Sequence, residues 1–133
     1  MQNKVFLVGV FDMIHRGHVN LLQKAAALGH LTVGVVCDEA IKKEKGEWRP
    51  IISQNDRAFM VGNIKGVESV ILLDDFEIPL FFLQEADIIV VGEDQSHIKN
   101  LNQINPNKRF DIARTEGVST SDIIKKIKDT VYK

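Results

Sequence analysis

The chain has 133 residues, 44% of them apolar and 26% charged, with a formal charge of −1, which is the profile of one folded domain with a real core. That charge excludes the global basic field on which nonspecific nucleic-acid binding depends, so no nucleic-acid partner is expected. The single cysteine, Cys37, excludes an internal disulfide; in its apolar run it reads as a small buried hydrophobe in a reducing compartment.

Val5–Val10 is an apolar run ending in a turn that contains Gly9 and Asp12, as expected of a buried parallel strand. It is too short to cross a membrane and lacks the features of a signal peptide, so no membrane partner and a cytoplasmic location are expected. From His18 to Leu28 the period changes to that of a helix, with Val19, Leu22 and Ala26 on one face and Gly29 as its stop. Leu31–Cys37 is a valine-rich strand, and Asp38–Pro50 reads as a charged loop with four lysines and arginines within Lys42–Arg49. Ser53 and Asp56 resemble a capping box opening a helix whose inner face carries Ala58, Val61 and Ile64.

Ser69–Leu73 predicts a short strand, Pro79–Glu85 a short helix and Ile88–Val91 another buried strand. Gln95–Asn107 is polar and reads as loop, and Arg109–Ala113 as the last strand. Ser119 or Thr120 then caps a helix with Ile123, Ile124, Ile127 and Val131 on its buried side. Strands alternating with helices, without linker or repeat, predict a single α/β domain over 1–133, its five-stranded parallel sheet covered by helices on both faces. Ligands in such sheets bind at the carboxyl ends of the strands.

The first strand turns into its helix through Gly9-Val10-Phe11-Asp12-Met13-Ile14-His15-Arg16-Gly17-His18. This is not the dinucleotide fingerprint, which needs three spaced glycines. Glycine lets a phosphate approach the backbone, and a helix start near Gly17 offers N–H groups and the positive end of a dipole. Two imidazoles three residues apart can donate to the same phosphate, which describes an anion site with two titratable donors. Zinc is the rival reading of His15 and His18, but the only further ligands on offer are His30, His97 and Cys37, in no recognisable spacing, so no metal site is expected. Asp12 can orient an acceptor or a metal-bound phosphate, or simply shape the turn.

Three segments resemble the small cytidylyltransferases and their relatives, whose hallmark is an H-x-G-H segment after the first strand. They are GVFDMIHRGH at Gly9–His18, Lys45-Gly46 following Cys37-Asp38-Glu39, and RTEGVSTSDII at Arg114–Ile124. By length the chain is nearest to the glycerol-3-phosphate cytidylyltransferases. The resemblance implies a Rossmann-like fold in which His15 and His18 stabilise phosphates during attack on the α-phosphorus, with Lys45 and Arg114 as clamps on the triphosphate. Gly9, Val10, Phe11, Gly17, Asp94, Thr115, Ser119 and Thr120 would join Arg114 around the nucleotide, and Asp12 and Lys65 would face the acceptor. Lys65 stands where the cytidylyltransferase pattern has arginine, keeping the charge but not the bidentate fork.

The resemblance further implies CTP as donor, a small phosphorylated alcohol such as glycerol 3-phosphate as acceptor, Mg2+ carried by the triphosphate and a homodimeric enzyme. A second enzyme fits parts of the chain. The segments KGEWRPI at Lys45–Ile51 and IIKKIK at Ile123–Lys128 resemble adenylyltransferases for a sugar 1-phosphate such as a heptose phosphate. A nucleotide-binding sensor without turnover is the reading from another class, and the joint presence of His15, His18, Lys45 and Arg114 weighs against it.

Overall fold

A computed structural model of the chain describes residues 2–93, 95 and 97–131. Five strands alternate with helices: β1 (Asn3–Gly9), α1 (Arg16–Ala26), β2 (Gly29–Val36), α2 (Asp38–Lys45), α3 (Gln54–Gly62), β3 (Val67–Leu73), α4 (Leu80–Glu85), β4 (Ile88–Gly92), β5 (Arg109–Ile112) and α5 (Thr120–Val131). The strands form one parallel sheet in the order β3-β2-β1-β4-β5. This is the Rossmann-like α/β arrangement expected from the alternation.

The apolar runs are continuous because both faces of the sheet are covered. Along β1, Val5 and Leu7 point to one side, where Leu22 and Ala25 of α1 and Val61 of α3 pack. Phe6 and Val8 point to the other, against Ala40 and Ile41 of α2 and Ala86 after α4. Phe82 of α4 stacks on Phe6 with ring centroids 3.9 Å apart. Successive side chains thus serve opposite layers, as strand geometry requires. The chain moves outward from β1 to β3, then returns to place β4 on the other side of β1. The loops after β1 and β4 therefore part at a topological switch point, where a cleft opens at the strand ends.

Three elements depart from expectation. The charged stretch after Cys37 is a helix, α2, whose charges are largely segregated, with Glu44 the exception. Asp38 and Glu39 occupy the first turn and Lys42, Lys43 and Lys45 the last, each sign at the dipole end that favours it. Ala40 and Ile41 anchor it, and Gly46 ends it at φ 99°, a left-handed conformation natural to glycine.

Ser53 is the N-cap residue of α3, but its side chain makes no capping bond. That helix is fastened instead by the fully buried Arg57.

The apolar residues of α5 do not form a buried side. Ile123 and Ile124 are half-buried, while Ile127 is 53% exposed and Val131 65%. Amphipathic spacing shapes a helix, but another element must lie over the stripe before it is buried, and none among the described residues does. The polar stretch before β5 contains a 3-10 turn at Leu101–Gln103. It is tied down by buried Asn100, which both accepts from the Ile78 amide and donates to its carbonyl at 2.9 Å.

Candidate functional site

The loop from β1 to α1 lies at the switch point, and its backbone is unusual. Phe11 and Met13 adopt φ of 56° and 50°, conformations that non-glycine residues take at a cost. Phe11 folds its ring under Gly9, where a Cβ would stand 2.4 Å from a ring carbon. Gly9 is thus required by the packing of the loop itself.

His15 is the N-cap of α1, and its Nδ1 accepts from the Gly17 amide at 3.1 Å. His18 returns the favour, its Nδ1 accepting from the His15 amide at 3.3 Å. The rings stack with centroids 3.8 Å apart, and His18 meets the edge of Phe11. Of the N–H groups expected at this helix start, that of Gly17 is already occupied by His15. The exchange has a chemical consequence. With both Nδ1 atoms accepting, a neutral ring carries its proton on Nε2. Burial, then His15 and Lys45, lower the His18 pKa to about 4. Burial, followed by the Arg114 charge, also lowers that of His15. At neutral pH the pair therefore offers two oriented Nε2–H donors without charge.

Asp12 is 2% exposed, and its carboxylate accepts from the amides of Ile51 at 2.7 Å and Ile52 at 2.9 Å. This is the turn-shaping role, and it runs across two loops. The carboxylate pins the segment after α2 to the loop after β1, which corrects the expectation that Asp12 faces an acceptor. Arg57 completes the junction, donating to the carbonyls of Ile52 at 2.8 Å and Val10 at 2.7 Å and to Asp38 at 2.8 Å. Thr120 adds the last tie, its hydroxyl donating to the Asp12 carbonyl at 2.7 Å.

Around these ties lies a cleft of about 530 Å³, within the size range of small-molecule sites. It gathers most of the residues singled out from the sequence. Gly9, Val10, Phe11, Asp12, Gly17 and both histidines line one wall. Lys45 reaches it from the last turn of α2 rather than from a flexible loop. Arg114, Thr115, Ser119 and Thr120 also line the cleft. There the Arg114 amide donates to Glu93, Thr115 accepts from Asn20, and Ser119 accepts from the Asp122 amide at the start of α5.

Lys65 does not join them. It is exposed in the turn that enters β3, at the opposite edge of the sheet from the cleft, so the acceptor role expected for it is withdrawn. Asp94 lies outside the described residues. Sequence reasoning missed Arg49, Gln95 and His97, which also line the cleft. Gln95 bridges the ends of β1 and β4, donating to the Val8 carbonyl and accepting from the Gly92 amide. The signal for Arg49 was present in the segment KGEWRPI.

A neutral pair of donors, with Lys45, Arg49 and Arg114 around one cleft, suits chemistry in which charge moves among phosphate oxygens. Residues 6–126 match the profile described as cytidylyltransferase-like. The chain belongs to the cytidylyltransferase-like family. It is accordingly a nucleotidyltransferase. Relatives of this cytidylyltransferase-like chain include the bifunctional protein HldE of Helicobacter pylori strain J99, 41% identical over 131 residues that cover 97% of this chain and 28% of that one. The protein of the same name from Wolinella succinogenes is 39% identical over 92% of this chain and 26% of its own length. The chain thus spans little more than a quarter of the curated relatives it matches. Among solved structures, a lipopolysaccharide core biosynthesis protein from Thermoplasma volcanium superimposes with a TM-score of 0.73 and 27% identity, covering 87% of this chain and 100% of that one. Among the described residues no helix is long and apolar enough to cross a membrane.

Proposed function

We propose that this nucleotidyltransferase transfers AMP from ATP to a sugar 1-phosphate, with heptose 1-phosphate as the first acceptor to test. The observation that carries this reading is the similarity, at about two residues in five over nearly the whole chain, to proteins named HldE. The neighbour named for lipopolysaccharide core biosynthesis points the same way, since such a core is assembled from sugars. Both favour the second enzyme considered from the sequence over CTP and glycerol 3-phosphate. The segment RTEGVSTS at Arg114–Ser121 favours CTP and keeps a cytidylyltransferase as the alternative.

In the proposed reaction an oxygen of the acceptor's phosphate attacks the α-phosphorus in line. A new P–O bond forms as the bond to the bridging oxygen breaks, and pyrophosphate leaves with the electron pair. The Nε2–H groups of His15 and His18 donate to oxygens that gain charge, while Lys45 and Arg114 hold the triphosphate. Mg2+ carried by the triphosphate would reduce its charge. Among the described residues no group of three His, Cys, Asp or Glu side chains could hold a metal; the proposal has the ion arrive on the nucleotide. Action as a homodimer stays part of the proposal, supported by the family resemblance; a cytoplasmic location is proposed with it.

The test is a matrix of four nucleoside triphosphates against phosphorylated acceptors, read by pyrophosphate release. ATP with heptose 1-phosphate should exceed every other pair, with ATP preferred to CTP by about tenfold or more, the scale set by one unpaired buried polar group. Preference for CTP with glycerol 3-phosphate would reinstate the alternative.

A further inference from the structure

Among the described residues, Arg49 is the one cleft residue whose surroundings leave a demand unmet. Its Nε is shut off from solvent and has no hydrogen-bond partner. The closest anion is Asp12, 3.8 Å away, beyond hydrogen-bond reach, and both Asp12 oxygens are already taken by the Ile51 and Ile52 amides. Asp12 therefore steers the guanidinium by charge without consuming its donors. Arg49 lines the cleft with its side chain 18% exposed. Among the described residues no hydrogen bond occupies its Nη groups, which are left as the donors a ligand can reach.

We propose that Arg49 is a further substrate-binding residue that takes the phosphate of the acceptor. The inference rests on the transfer chemistry proposed above, though not on which base the nucleotide carries. Two phosphorylated substrates of like charge must lie side by side for attack to occur. The histidines bring no charge at neutral pH, so cationic side chains must hold both substrates. Lys45 and Arg114 are assigned to the triphosphate, and Arg49 is the third cation on the cleft wall. Its planar fork matches two oxygens of a phosphate monoester, a geometry that lysine cannot copy. A sugar or polyol phosphate is thus recognised at its phosphate by Arg49 and by other groups at its hydroxyls.

The experiment uses Arg49→Gln and Arg49→Lys on whichever nucleotide and acceptor the wild-type chain turns over best. A wrong base then defeats the proposed function and leaves this inference standing. Nucleotide affinity is measured by calorimetry with Mg2+, and acceptor KM at saturating nucleotide. Inorganic phosphate is also titrated onto protein saturated with a non-hydrolysable nucleotide analogue. Arg49→Gln should raise acceptor KM by about tenfold or more and weaken phosphate binding in parallel, with nucleotide affinity within about twofold of wild type. Arg49→Lys should recover only part of the loss. Asp12 keeps both backbone bonds in either variant; should Arg49→Gln still melt below assay temperature, Arg49→Lys alone decides by the same two readouts. Loss of nucleotide affinity equal to the loss in acceptor KM would place Arg49 on the triphosphate and overturn the proposal. Unchanged acceptor KM would overturn it as well.

Discussion

His15 carries two duties that substitution can separate. Its Nδ1 caps α1 through the Gly17 amide, and in the proposed reaction its Nε2–H donates to a phosphate oxygen. Asparagine is a good N-cap residue and alanine a poor one, a difference of about 1 kcal/mol. His15→Asn should keep the melting temperature near wild type while turnover falls by about a hundredfold, as for loss of a transition-state donor. His15→Ala should lose both. Normal turnover in His15→Asn would remove the ring from the reaction. His18 is tested by pH. Its folded pKa of about 4 lies below the ordinary 6.5, so as pH falls the unfolded chain takes up the proton first. The stability that His18 contributes is complete above 6.5 and is lost as pH falls towards 4, by about 1.4 kcal/mol per unit within that window. The His18 ring resonances should titrate with a midpoint near 4, and His18→Gln should flatten the pH dependence of unfolding. A midpoint near 6.5 would show that the ring is charged or solvated in the fold.

Elements meet at Arg57, which joins α3 to the loop after β1, to the start of α2 and to the segment between the two helices. Arg57→Met would leave two carbonyls without their donor and the partly exposed Asp38 without its partner, a loss of about 2–4 kcal/mol. Denaturant midpoints should drop accordingly, and a change below about 1 kcal/mol would mean that water replaces the guanidinium at little cost. The same junction explains what could be read from the sequence and what could not. Both histidines were legible because their spacing and the strand before them are local. Arg57 was not, and of Arg49 only its place in KGEWRPI was, since each takes its meaning from Asp12, Val10 or Asp38, brought close only by the fold. Helix α2 was hidden by its high charge, with just Ala40 and Ile41 buried. Lys65 was misplaced because similarity in sequence order says nothing of which edge of the sheet a turn occupies.

At the scale of the whole molecule, order is unevenly distributed. β1 lies at the centre of the sheet, paired with β2 and β4 and buried from both faces, whereas α5 contains no buried residue. Hydrogen exchange should therefore be slowest along β1 and β2, where amides open only on global unfolding, and fast in α5. Saturating nucleotide should slow exchange in the first turn of α5, because Ser119 and Thr120 line the cleft and Thr120 is bonded to the Asp12 carbonyl. Protection of α5 equal to that of β1 in the bare chain would show that its apolar stripe is covered in solution. The strand alternation made the sheet readable in advance. Whether α5 was covered was not, because amphipathic spacing is the same in a packed helix and a bare one.

The bonds that begin α1 are also the bonds that aim its two imidazoles. Orientation is thereby settled when the chain folds, and an arriving substrate finds the donors already immobilised, with little reorganisation left to perform. The entropy of fixing the rings has been met within the folding equilibrium, not charged to each catalytic cycle. Fraying of one helical turn and loss of catalytic competence are then the same molecular event, so gentle heating should silence the enzyme as that turn opens, while the central sheet is still intact.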